Sequence, residues 1–173
     1  MISTVLLLGF ALAAAITDLL RKKIYNWTTY PGIITGVLVS TCDPQGIGWE
    51  ESLLGVVGCG LIMVFSFLCF FPQVGAGDVK LITMLSAFLG WYYGLECMLW
   101  TFVLGAVLAL SILIWKFGVL KLLARGAKQI WFLAAYRQWL PLSEEERQAL
   151  KPNLHLAPAA LIAVIIVEFS NIR

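Results

Sequence analysis

The chain has 173 residues, of which 61% are hydrophobic and 13% are charged, and its formal net charge is +2 at pH 7. Its mean hydropathy of +0.90 excludes a soluble globular protein, because a fold of this size cannot bury that much apolar surface. We therefore predict an integral membrane protein with the lipid bilayer as its surroundings and no nucleic acid among its partners.

Five or six apolar segments follow one another along the chain, against a need for about 17–25 residues per helical span. They occupy residues 2–20, 27–41, 52–71, 79–95, 97–115 and 153–169. The second and the last are short, which leaves open whether either one is a tilted span or a re-entrant segment. We predict an all-α polytopic fold of about six transmembrane helices, forming a single membrane-embedded domain over residues 1–173.

The distribution of Lys and Arg predicts the orientation in the membrane. With six spans, loops 21–26, 72–80 and 116–152 lie on one side and contain eleven of the 12 basic residues. The opposite loops contain acidic residues only, which are Asp43, Glu50, Glu51 and Glu96. Because loops rich in Lys and Arg remain in the cytoplasm, the first side is predicted to be cytoplasmic.

The long polar interval 116–152 shows the pattern of an amphipathic helix. One face carries basic residues at spacings i, i+4 and i+7, namely Lys121, Arg125 and Lys128. The opposite face is apolar, with Leu120, Leu123, Ile130 and Leu133. This pattern is typical of a helix that lies in the headgroup plane, here on the cytoplasmic side.

Two acidic residues are predicted at the same membrane depth. Asp18 lies at the cytoplasmic end of the first span, and Asp78 lies at the cytoplasmic start of the fourth. An ionisable group at the membrane boundary is costly, although a single acid at a helix end is most often an interfacial anchor or a cap. Two acids at matching depth, one of them in a glycine loop, favour a function instead. Two carboxylates that share one proton supply a general base and a general acid, as in aspartic peptidases. A small transporter or a subunit that conducts ions or protons would use such acids as well, and is the alternative.

Asp78 lies in the stretch GAGDVKL, residues 75–81. Gly75 and Gly77 have no side chains, so they allow the backbone of a substrate to approach Asp78, although a tight turn between two spans would use the same glycines. Lys80 is two positions from Asp78, and we predict that it points away from Asp78 and anchors the helix at the cytoplasmic surface.

Three further features bear on the site. Asn26 is predicted to cap the second helix. Pro158 is predicted to disturb a hydrogen bond in the last helix, which leaves a kink or a locally open backbone. The four cysteines form no CxxC pair and have no His at ligand spacing, so we expect no metal site, no disulfide framework and no cofactor.

Together these motifs resemble those of the type IV prepilin peptidases, which are membrane aspartic peptidases of the GxGD class. The family's first motif is an Asp, a short basic stretch and Ile-Pro-Asn, and residues 18–26 read DLLRKKIYN, with Tyr25 where the family usually has Pro. The second motif, GxGDxKL, appears as GAGDVKL. A Pro at the start of the last span appears as Ala157-Pro158-Ala159.

The resemblance implies that Asp18 and Asp78 are the catalytic pair, at the cytoplasmic face of a prokaryotic inner membrane. Gly75, Gly77 and Lys80 would have structural or supporting roles as members of the second motif. Asn26 and Pro158 stand in the matching places of the other two motifs and are further supporting candidates. The implied substrates are prepilins or pseudopilins, which carry a basic leader, a cleavage site usually after Gly, and a hydrophobic helix in the membrane.

Larger members of the family have an N-terminal region with cysteine pairs and also methylate the new N-terminus. This chain begins directly with a span and has no CxxC, so it resembles the short, peptidase-only branch that serves Flp-type (tight adherence) pili. We therefore expect no methyltransferase activity. Archaeal preflagellin peptidases share the same acids, and a non-catalytic assembly protein with the same fold is a further alternative that intact Asp18 and Asp78 argue against.

Overall fold

The computed structural model describes residues 2–42, 46–69, 75–118, 131 and 156–171. In this part of the chain the regular structure is helical throughout, which confirms the predicted all-α class. The helices are α1 (Ile2–Arg21), α2 (Asn26–Cys42), α3 (Trp49–Cys69), α4 (Ala76–Phe117) and α5 (Leu156–Asn171). Most of the predicted amphipathic segment in 116–152 lies outside the described residues.

Three of these helices are long and apolar enough to cross a membrane: Ile2–Arg21, Trp49–Leu68 and Ala76–Trp115. The apolar part of α5, Leu156–Ser170, is shorter. With 17 residues, α2 is also short for a span. The membrane location of the chain is thus supported, whereas the number of six spans stays a prediction.

The chain divides into two compact units. The first, Met1–Leu104 with His155–Arg173, contains α1, α2, α3, α5 and residues 76–104 of α4. The second, Gly105–Leu154, contains the remainder of α4. Both candidate acids lie in the first unit, and so do all contacts described below.

Helix α4 reverses its direction at Gly90, which has φ 76 and ψ −170. A Cβ atom on Gly94 would lie 3.1 Å from the Cα of Ser86, although residues eight apart in a straight helix are separated by about 12 Å. The first arm of α4, residues 76–89, therefore runs back along the second arm, residues 91–104. Sequence predicted this turn near Glu96, and that boundary was wrong because a break between apolar residues leaves no hydropathy signal.

Two serines stabilise the turn in α4. The hydroxyl of Ser52 donates to the Ala87 carbonyl at 2.6 Å, and that of Ser40 donates to the same carbonyl at 3.4 Å. In an unbroken helix this carbonyl would accept the amide of Trp91, which the turn at Gly90 displaces. Since an unpaired buried carbonyl costs about 1–3 kcal/mol, α2 and α3 stabilise the turn by supplying the missing donors.

The main core lies between α1, α5 and the first arm of α4. Helix α1 contributes a buried stripe, which consists of Leu7, Ala11, Ala14, Ala15 and, one turn further on, Asp18. The facing residues include Leu81, Leu85, Phe88, Ala160, Ala163, Val164 and Val167. The alanines permit close approach of the helix backbones, as is common between membrane helices. Asp18 is thus placed on the buried face of its helix by the same spacing that builds the core.

Helices α1 and α5 are antiparallel and are joined by a hydrogen bond near each end. At one end the hydroxyl of Thr4 donates to Oε2 of Glu168 at 3.4 Å. At the other end the amide of Ala157 donates to Oδ2 of Asp18 at 3.2 Å. The two bonds fix the register of the helix pair, so the end of α1 and the start of α5 meet at Asp18.

Candidate active site

Asp18 lies in the last turn of α1 and is only 7% exposed. Its carboxylate accepts the amide of Ala157, in the first turn of α5. The first four amides of a helix have no partner within the helix, so Ala157 is a free donor. A buried carboxylate requires such donors. The start of α5 therefore holds the Asp18 carboxylate in one place.

Pro158 also lies in the first turn of α5, directly after the residue that donates to Asp18. A helix tolerates Pro there, because that amide would have no intrahelical partner. The residues directly before Leu156 lie outside the described part of the chain, so the predicted disturbance of a helical hydrogen bond by Pro158 stays a prediction. Pro158 belongs to the short segment that supports Asp18.

Asp78 is the third residue of α4 and is partly buried. Its Oδ2 accepts the amide of Gly75 at 3.0 Å, while its own amide donates to the Gly75 carbonyl at 2.9 Å. Gly75 occupies the N-cap position of α4. The bond from its amide to the Asp78 carboxylate is one of the two bonds of a capping box, the one made by the side chain of the third helical residue. Asp78 thus orders the start of its own helix, which fixes its carboxylate near the end of the core.

Gly77 faces the loop between α1 and α2. A Cβ atom at this position would lie 3.1 Å from the Cβ of Ile24, which is tighter than an ordinary van der Waals contact. Ile24 in turn packs against the main core. Sequence predicted that Gly77 makes room for a substrate backbone, whereas in this structure it makes room for Ile24.

Asp18 and Asp78 lie at the same end of the core, because the loop that follows α1 packs through Ile24 against Gly77, the residue before Asp78. They reach this position from two helices that meet at the same end of the core, with Asp18 at the end of α1 and Asp78 at the start of α4. The fold therefore brings the two acids predicted from sequence to one end of the core, where they are the candidate site residues.

Lys80 contacts two exposed residues at the start of α2. Its Nζ donates to Oδ1 of Asn26 at 2.8 Å and lies 5.3 Å from the centroid of the Tyr30 ring. The start of α4 is thereby joined to the start of α2. That Lys80 points away from Asp78 stays a prediction, and its contact with Asn26 was not predicted.

The predicted cap of α2 by Asn26 is wrong, because Asn26 is already the first residue inside the helix and its side chain is bound to Lys80. The carbonyl of Tyr25 accepts the amides of Thr28 and Thr29 at 3.1 and 3.3 Å and marks the helix start. Tyr25 stands where Pro is usual in the family that the sequence resembles, and its backbone carbonyl begins α2. The helix start therefore forms without a Pro at this position.

Sequence reasoning missed two contributors to the site. The Ala157 amide is a backbone group, and no side-chain pattern marks it. Ile24 looked like an ordinary apolar residue of the first motif, and only its contact with Gly77 gives it a role. Among the residues that the structure describes, no group of three or more His, Cys, Asp or Glu could hold a metal ion.

Comparison with known protein families gives one assignment. Residues 5–110 match the type IV leader peptidase family, and this stretch contains Asp18, Asp78, Asn26 and the GAGDVKL segment. Comparisons with curated proteins and with solved structures gave no match. The matched stretch is more than half of the chain, and it includes both Asp18 and Asp78. The chain therefore belongs to the type IV leader peptidase family, and it is a membrane-associated peptidase.

Proposed function

We propose that the chain is an aspartic endopeptidase that removes the basic leader from prepilin-like precursors. The observation that carries the proposal is the placement of Asp18, at the end of α1, and Asp78, at the start of α4, at the same end of the core. Membership of the type IV leader peptidase family supports a substrate of the prepilin class.

In the proposed reaction the ionised carboxylate of the pair takes a proton from water as the water oxygen attacks the scissile carbonyl carbon. The protonated carboxyl then gives its proton to the leaving nitrogen as the carbon–nitrogen bond breaks. The products are a leader with a free carboxylate and a mature chain with a free amine. Neither a metal nor a covalent intermediate takes part in this proposal, and positioning of the water supplies much of the rate.

The proposed substrate is a prepilin or pseudopilin whose hydrophobic helix lies in the membrane next to the enzyme. The basic residues support an active site at the cytoplasmic face of a prokaryotic inner membrane, because loop 21–26 follows Asp18 and Lys80 follows Asp78 in the sequence. We further propose a role in a Flp-type pilus system without methyl transfer, in keeping with the absence of a CxxC pair in the sequence.

Reconstitution in liposomes with a prepilin tests the proposal. Leader cleavage should be lost in Asp18→Asn and in Asp78→Asn, and retained in Glu50→Gln, an exposed acid in the first turn of α3. Persistent cleavage in either Asp variant would contradict the pair. Ion flux through the liposomes without any cleavage would instead favour the transporter alternative.

A further inference from the structure

We propose that Lys80 and Asn26 are positioning residues, whose hydrogen bond sets the place of Asp78 relative to Asp18. The inference rests on the proposed function, since it assigns these residues to the same reaction. Neither side chain is proposed to touch the substrate. They act by joining the start of α4, which carries Asp78, to the start of α2, which follows Asp18 after a short loop.

The bond connects two helix starts. Lys80 follows Asp78 by two residues on α4, and Asn26 is the first residue of α2. Nζ of Lys80 is 2.8 Å from Oδ1 of Asn26 and 5.3 Å from the centre of the Tyr30 ring. Asn26 and Tyr30 are four residues apart and so lie on one face of α2. The ammonium group thus meets two partners on the same face of the same helix.

A second contact lies next to this bond. Gly77 and Lys80 are three residues apart on α4, and Gly77 is covered by Ile24, two residues before Asn26. The loop between α1 and α2 is therefore fixed against the first turn of α4 at two points. One contact is apolar and depends on shape, and the other is polar and depends on charge.

The same loop is tied to Asp18 at its other end. The amide of Lys22 donates to the Asp18 carbonyl at 2.8 Å, and Lys22 has φ 53, the left-handed conformation that ends many helices. A continuous series of contacts thus leads from Asp18 through Lys22 and Ile24 to Gly77, which directly precedes Asp78. Lys80 and Asn26 close this series.

A positioning role is needed because different helices carry the two acids, Asp18 at the end of α1 and Asp78 at the start of α4. The carboxylate of Asp78 is held locally by Gly75, which belongs to the same helix start and moves with it. Only contacts to another element can set the distance between the acids. Since a misplacement of about 1 Å can cost about 100-fold in rate, loss of the bond should lower kcat roughly tenfold or more.

The experiment uses the full chain in liposomes with a prepilin and follows kcat and KM. Lys80→Met and Asn26→Ala should each lower kcat roughly tenfold or more with little change in KM, and the double variant should be no worse than either one. Lys80→Arg keeps a donor and Asn26→Asp keeps an acceptor, so each variant should retain a kcat close to that of the unaltered protein. Lys23→Met, which removes a neighbouring exposed charge, is the control and should leave kcat unchanged.

Two results would overturn the inference. If the fold reductions in kcat of the two single variants multiply in the double variant, Lys80 and Asn26 act separately, as expected if Lys80 only anchors α4. A rise in KM at unchanged kcat would place Lys80 on the substrate instead. If Lys80→Met fails to fold, the comparison of Asn26→Ala with Asn26→Asp decides, because only the second can accept from Lys80.

A readout without substrate separates this inference from the proposed function. Hydrogen–deuterium exchange of the amides in residues 22–25 should rise in Lys80→Met and in Asn26→Ala, and stay unchanged in Lys23→Met. Increased exchange in a chain that cleaves no prepilin would support the contact and contradict the peptidase proposal. Unchanged exchange in both variants would contradict the positioning role whatever the activity.

Discussion

The amide of Ala157 donates to the carboxylate of Asp18 at 3.2 Å, although 139 residues separate them along the chain. The bond joins the last turn of α1 to the first turn of α5. It gives the C-terminal Pro-containing segment a physical connection to the first acid. The candidate site therefore depends on three helix ends rather than on two.

This bond predicts different outcomes for two substitutions of Asp18. Asp18→Ala leaves the buried Ala157 amide without an acceptor and should lower the free energy of unfolding by about 1–3 kcal/mol. Asp18→Asn keeps an acceptor oxygen, so its free energy of unfolding should be close to that of the unaltered protein. Both should lose prepilin cleavage. Denaturant unfolding in detergent measures the first difference, and equal stability of the two variants would contradict the bond.

Gly77→Ala should impair the protein, because the new Cβ would lie 3.1 Å from the Cβ of Ile24. Overpacking of this kind costs about 1–3 kcal/mol, which unfolding in detergent measures, and it should also displace Asp78 and lower cleavage. Ile24→Ala should not restore the double variant, since alanine retains the Cβ that is closest. Gly9→Ala is the matched control, since a Cβ at Gly9 meets nothing within 4 Å. Full activity of Gly77→Ala would contradict this packing.

The two serines at the turn in α4 should differ in their effect on stability. Ser52 donates to the Ala87 carbonyl at 2.6 Å, whereas Ser40 donates at 3.4 Å. Ser52→Ala should therefore lower the free energy of unfolding by about 1 kcal/mol, and Ser40→Ala by less. The double variant should lose more than the sum of the two, because the carbonyl then has neither donor. Thermal unfolding in detergent provides the comparison, and additive effects would contradict a shared role.

Membrane topology gives a separate test. Reporter fusions placed after Ile24 and after Gly75 should both report the cytoplasmic side, because the loop and the start of α4 are in contact through Ile24 and Gly77. A periplasmic signal from only one of them would separate the acids and contradict the whole site. The test needs no substrate and does not depend on the identity of the pilin.

Much of this site could be predicted from sequence. Asp18 and Asp78 are charged residues at the ends of apolar segments, and that contrast is visible without a structure. The spacing of Leu7, Ala11 and Ala14 with Asp18 even places the acid on the buried face of α1. A charged residue at the end of an apolar segment is readily detected from sequence.

The remaining features involve atoms or partners that carry no such contrast. The turn at Gly90 depends on a backbone conformation among apolar neighbours, and the support of Asp18 depends on a main-chain amide. Lys80 and Asn26 are 54 residues apart, and each alone has a simpler explanation as an anchor or a cap. Pairings over such distances are set by tertiary packing, which local patterns do not determine.

The turn at Gly90 also decides what surrounds the first arm of α4. This arm, residues 76–89, rises only about 21 Å, about 9 Å less than a typical hydrocarbon layer of about 30 Å. Leu81, Met84, Leu85 and Phe88 of the arm are buried in the main core. The arm is therefore covered by neighbouring helices rather than by lipid, so its short length causes no hydrophobic mismatch with the bilayer.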